Sequence, residues 1–95
     1  MTPSGPVARR LHEKLEAAFA PLDLVIEDES SRHAGHSGAR AGGESHFRVR
    51  IVSGVFAGLS RVERQRRVYA AVADEIAGGL HALALTTLTP DEAGS

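Results

Sequence analysis

Apolar residues Val7, Leu11, Leu15, Ala18 and Phe19 recur at steps of three and four, the spacing of one helical face. Arg10, His12, Glu13 and Glu16 fill the opposite side. Pro6 suits a first turn, where its missing N–H removes no intrahelical bond, and Pro21 stops the pattern. The spacing predicts a helix over residues 6–19. The period then changes. In "LDLVIEDES", Leu22, Leu24 and Ile26 alternate with Asp23, Val25 and Glu27, which fits a strand with one buried face. "HFRVRIVS" alternates more cleanly, with Phe47, Val49 and Ile51 opposing His46, Arg48 and Arg50. Two strands joined by a long loop and no helix are most simply an antiparallel pair.

"SGVFAGLS" reads as a turn, with Gly54 and Gly58 flanking Val55 and Phe56. Ser60 followed by Glu63 is a capping box and predicts a helix start. The predicted apolar face of that helix is Val62, Tyr69, Val72, Ala73 and Ile76, and Gly78-Gly79 ends it through a left-handed cap. "LHALALTTL" is a third strand, and residues 91–95 are expected to be a frayed tail. The order is αββαβ: a single α+β domain over residues 1–95, with two helices covering a three-stranded mixed sheet. Strands two and three, separated by a helix, should run parallel through a right-handed crossover.

Composition narrows the chemistry. Ninety-five residues make one domain, and no apolar run reaches the roughly 18 residues of a membrane span. The start of the chain enters a helical pattern without a signal-peptide apolar stretch, so no membrane association and a cytoplasmic location are expected. The absence of cysteine removes disulfides, thiol catalysis and any self-contained thiolate metal site. No serine sits in a nucleophile elbow and no Walker-type phosphate loop occurs, so no enzyme is expected. The acids Glu27, Asp28 and Glu29 are contiguous at a strand end, where their side chains diverge.

Formal net charge is −1, but its distribution is uneven. Between Arg48 and Arg67 lie six arginines against one acid, Glu63, whereas Asp23 to Glu29 is acidic. Arg61, Arg64, Arg66 and Arg67 at a helix start could meet phosphates or an acidic partner surface; the alternative is a solvated helix face. Turn plus basic helix resembles a helix-turn-helix reading element, although the domain is not basic overall and offers no aromatic stacking platform.

Three of the five histidines sit in "DESSRHAGHSGARAGGESHF", residues 28–47. This loop, flexible over about residues 31–44, carries His33 and His36, while His46 opens the following strand on its polar side. Gly35 to Gly38 spells G-x-x-G, but a KH-type clamp of that form joins two helices and this one falls between strands. His81 opens the last strand and by alternation shares a face with Leu83 and Leu85. Taken without context, it reads as a half-buried histidine bonded to backbone, His33 and His36 as exposed loop residues, and His46 as structural. His12 lies on the polar side of the first helix.

"DES" before a histidine-bearing loop, "ESHFRVRIVS", Phe56-x-Gly58-Leu59-Ser60, the arginine-rich helix start, "HALAL" at 81–85 and Thr89-Pro90-x-Glu92 occur in one order. Together they resemble the BolA family, in its histidine-loop branch, over nearly the whole chain. The resemblance implies a type II KH-like topology, in agreement with the element order given by periodicity. It implies that His81 ligates a [2Fe-2S] cluster shared with a monothiol glutaredoxin, and that a second nitrogen comes from His33, the first choice, or His36. Sulfur would come from the glutaredoxin cysteine and from glutathione, with no cluster on the isolated, monomeric chain. Two imidazoles replacing two thiolates on one iron make a Rieske-like arrangement. The resemblance also carries a second role, transcriptional regulation through DNA binding. One departure is plain: the family's usual Arg-His-Arg near the second helix start is Arg64-Gln65-Arg66 here, so no role of that histidine transfers.

Overall fold

The structure, a computed structural model, describes residues 5–29, 46–80 and 82–94. Helix α1 (Pro6–Phe19) leads into β1 (Asp23–Asp28), and β2 (His46–Val52) runs into a short 3-10 turn at Gly54–Phe56. Helices α2 (Arg61–Ala71) and α3 (Ala73–Ala77) then lead to β3 (Ala82–Leu88) and a short α4 (Pro90–Gly94). The sheet order is β1-β2-β3, with β1 antiparallel and β3 parallel to the central strand. This is the mixed three-stranded α+β arrangement expected from the periodicity.

All helices that build the core lie on one side of the sheet. Leu11, Leu15 and Phe19 of α1 and Val68 and Val72 of the α2–α3 segment pack against Phe47, Val49 and Ile51 of β2. Phe56 closes the bottom of this cluster and tilts against Phe19, ring centroids 5.2 Å apart. Ser53, fully buried, donates its hydroxyl to the Phe19 carbonyl at 2.6 Å and accepts from the Val55 N–H at 3.2 Å. It therefore ties the end of α1 to the turn after β2.

Both predicted helix faces need correction. On α1 the buried stripe is Ala8, Leu11, Leu15 and Phe19, and Ala18 is exposed. On the second helix the apolar stripe Val62, Tyr69 and Ile76 is exposed at 60%, 39% and 39%. The helix is rotated so that Arg64, Gln65, Val68, Val72 and Glu75 face inward, a stripe that contains two charges. The helix also tightens at Val72, which separates α2 from α3. Leu22 precedes β1 and is 74% exposed, so the buried side of that strand rests on Leu24 and Ile26.

The ends are built as the residues predict. Ser60 Oγ accepts from the Glu63 N–H at 3.1 Å, fixing the start of α2. At the other end Leu80 N–H donates to Glu75 O and Gly79 N–H to Ile76 O, the Schellman pattern, with Gly79 at φ 126 where a side chain would be strained. The expected frayed tail is instead the short helix α4 over Pro90–Gly94. Thr89 Oγ1 accepts from Glu92 N–H and Glu92 Oε1 accepts from Thr89 N–H, a reciprocal capping box. The loop expected to be flexible over residues 31–44 lies outside the described residues.

Glu75 is 8% exposed and accepts from Arg10 Nε at 2.9 Å and Lys14 Nζ at 2.7 Å, bridging α3 to α1. Burial alone would push its carboxyl up. The bonds from Lys14 and Arg10 and their charges outweigh that and hold it below the ordinary carboxylate value. A folded value below the unfolded one gives stability that is present above about pH 4.3 and lost as pH falls through the depressed value. Glu75→Gln is therefore expected to lower unfolding free energy by about 1–3 kcal/mol at neutral pH. The same substitution should flatten the acid side of a urea-midpoint against pH curve, which measures both effects.

Candidate functional site

Strand pairing brings three chain segments to one end of the sheet. Asp28 pairs with Phe47, His46 pairs with Ala82, and Glu29 N–H donates to the His46 carbonyl at 2.8 Å. The loop between the first two strands therefore leaves and re-enters at this end, and β3 begins beside it. His33, His36 and His81 lie outside the described residues. His46 is half-buried at the first position of β2. His12 stands on α1 with Nε2 at 3.6 Å from Glu16 Oε2. Among the described residues no three His, Asp or Glu side chains group as a metal site, and the sequence has no cysteine.

The four candidate arginines of α2 separate into two kinds. Arg64 has a side chain only 11% exposed. Its Nε donates to Leu59 O at 3.0 Å and its Nη1 to Thr87 O at 3.0 Å. The same guanidinium meets Glu92 at 2.7 and 3.3 Å and stands over the Phe56 ring at 6.0 Å. It is a clamp joining α2, β3 and α4, with little left to offer a partner. Arg66 and Arg67 are 75% and 50% exposed and approach Glu63 at 4.0 and 3.6 Å, contacts worth little in water. Arg61 is exposed and, among the described residues, makes no ion pair. Gln65 is half-buried against the end of β3.

The start of α2, with Arg61, lies beside the end of β3, about 20 Å along that seven-residue strand from its first residue Ala82. Sequence reasoning took Arg64 as a surface charge and missed both its clamp and the buried Glu75. Signals existed in the capping box Thr89-x-x-Glu92 and in the inward stripe at 64, 68, 72 and 75, but charges on an inward stripe argue against it unless their partners are known.

A family model described as BolA-like protein matches residues 15–92. The chain is 47% identical to the chloroplastic protein BOLA1 of Arabidopsis thaliana, over 93% of this chain and 56% of that one. It is 44% identical to the DNA-binding transcriptional regulator BolA of Escherichia coli, over 90% and 78% respectively. Its fold superposes on the BolA domain of SufE1 from Arabidopsis thaliana with a TM-score of 0.83 and 44% identity, covering 95% of this chain and 99% of that one. The chain spans between 25% and 63% of the length of the plant and mammalian relatives it matches. No described helix is long and apolar enough to cross a membrane.

The Arg64 clamp has a measurable consequence. Its hydrogen bonds, with those from Thr89, hold the Glu92 carboxyl down at about 2. Arg64→Gln should return Glu92 toward the ordinary value of about 4.3, read by carboxyl NMR titration. It should also lower unfolding free energy by about 2 kcal/mol through the lost bonds to two buried-side carbonyls.

Proposed function

This chain belongs to the BolA-like protein family, and from that premise we propose that it is a non-enzymatic adaptor in iron–sulfur cluster assembly and trafficking. It would bind a monothiol glutaredoxin and share a [2Fe-2S] cluster with it as cargo. The observation that carries this reading is the strand pairing at one end of the sheet. His46 faces Ala82 across β2 and β3, and Glu29 bonds to His46. The residues on either side of these anchors in the sequence are the loop with His33 and His36 and the residue before Ala82, His81.

Neutral imidazole is a good iron ligand, and two of them from this chain would complete an iron whose other ligands are bridging sulfides. The glutaredoxin cysteine and glutathione would hold the other iron. A chain with imidazoles and no thiol cannot keep such a cargo alone, which makes holding it depend on the partner. The test mixes the full chain with a monothiol glutaredoxin, glutathione and reconstituted cluster. His81→Ala should abolish the visible absorption and circular dichroism of the mixed complex, and His33→Ala should alter them more than His36→Ala. Spectra indifferent to His81→Ala would reject the ligand assignment.

A second reading, DNA binding, is favoured by the exposed arginines at the start of α2 and by the name of the Escherichia coli relative. Arg61, Arg66 and Arg67 would contact phosphates, while Arg64 stays in its clamp. Fluorescence anisotropy with duplex DNA across salt concentrations tests it. Replacing all three with glutamine should weaken binding and lower the log–log salt slope by about 3, since each lost phosphate contact removes roughly 0.9. An unchanged slope would remove this reading and leave the adaptor untouched.

A further inference from the structure

Val62, Tyr69 and Ile76 form a row of large apolar side chains left exposed along α2 and α3. They recur every seven residues, close to two helical turns, so the row runs nearly straight for about 21 Å. At its Tyr69–Ile76 end the row meets a cleft of about 110 Å³ between the helices and the start of β3. Tyr69, Ile76, Leu80, Ala82 and Leu83 line it. These side chains are apolar apart from the Tyr69 hydroxyl, which is already bonded to the Leu83 carbonyl. What fits there is an apolar side chain. Charge beside the row has one sign. Arg66 follows Val62 by four residues and precedes Tyr69 by three, which sets it next to both. Its guanidinium is largely exposed, with only a 4.0 Å approach to Glu63. The acids of these helices are engaged elsewhere: Glu75 against Arg10 and Lys14, Asp74 in the groove toward α1 with Lys14, and Glu63 beside Arg67. Among the described residues no carboxylate lines the cleft.

We propose that this row and cleft are the docking surface for a protein partner that sets an apolar side chain in the cleft and a carboxylate opposite Arg66. The partner's identity rests on the adaptor reading. That reading brings a glutaredoxin to the end of the sheet where β2 and β3 begin, and the cleft reaches that end at Ala82, the first residue of β3. An exposed tyrosine and arginine beside an apolar seat is the composition that concentrates binding energy in protein contacts. Tyr69 is also held in place by its bond to Leu83, so it has little rotamer freedom to lose on docking. A nucleic acid would need a track of cations, whereas this row is apolar with one arginine beside its middle.

The test titrates the full chain with a metal-free monothiol glutaredoxin by isothermal calorimetry, then repeats the titration with glutathione and cluster present. Ile76→Glu puts a carboxylate beside the cleft and should weaken association by at least about tenfold. Arg66→Glu, a surface change, should weaken it by about tenfold. Arg67→Glu makes the same charge change about 160° around the helix from Tyr69 and should leave affinity within about twofold. At saturating partner the Ile76→Glu and Arg66→Glu complexes should keep the wild-type visible circular dichroism, because neither change touches a cluster ligand. Wild-type affinity in both Ile76→Glu and Arg66→Glu would overturn the docking surface and leave the adaptor reading standing. Equal losses from Arg66→Glu and Arg67→Glu would do the same, by showing attraction without a seat. A dimer of the free chain that Ile76→Glu dissociates would assign the surface to a second copy and also overturn it. A wild-type chain that binds no glutaredoxin, with or without cluster, rejects the adaptor reading and the docking surface together.

Discussion

The parallel pairing of β3 with β2, in the register His46 to Ala82, is the constraint on which the rest of the molecule depends. A parallel neighbour cannot be reached by a hairpin, so the chain must travel back along the sheet before β3 begins. Helices α2 and α3 are that return path. Their packing beside α1 on one face makes the core, and the 3-10 turn with buried Phe56 and Ser53 sets where the return starts. The same pairing decides the geography of function. The starts of β2 and β3 lie together at one end of the sheet, and the start of α2 is sent to the other.

Much of this was legible in the residues. Period two in "HFRVRIVS", period near 3.6 in residues 6–19 and the Ser60 cap gave the element order and the parallel pair. The orientation of the second helix was not legible, for a physical reason. Binary patterning assigns charges to the outside, and it favoured the stripe of Val62, Tyr69 and Ile76. The helix turned instead to bury Glu75 and most of Arg64, which is favourable only because Arg10 and Lys14 meet the first and Glu92 and two carbonyls meet the second. Apart from the nearby Leu59 carbonyl, those partners lie 23 to 65 residues away in sequence, beyond the reach of any local period. The exposed stripe has its own use, since Tyr69 donates to the Leu83 carbonyl at 3.1 Å and covers the free edge of β3.

Arg64 and Tyr69 together act on that edge. They take the Thr87 and Leu83 carbonyls, which by the two-residue alternation point the same way, while Leu88 O is bonded on the opposite side to Ser53 N–H. An unpaired edge strand invites pairing with another chain, and side chains laid across it prevent that. The arginine that looked most like a hand for a partner is therefore occupied in keeping partners off the backbone. This narrows the basic surface of α2 to Arg61, Arg66 and Arg67.

The two ends then make different demands on a partner. At the end where β2 and β3 begin, the adaptor reading uses imidazole nitrogens, and the sequence has no cysteine thiol. On the adaptor reading, a cluster held there is lost when the partner leaves, because half of its ligands leave too; reversibility is built into the donor set. At the other end the Ser60 cap fixes the start of α2, and the Arg64 clamp ties that helix to the end of β3. A partner touching both ends must span the length of β3.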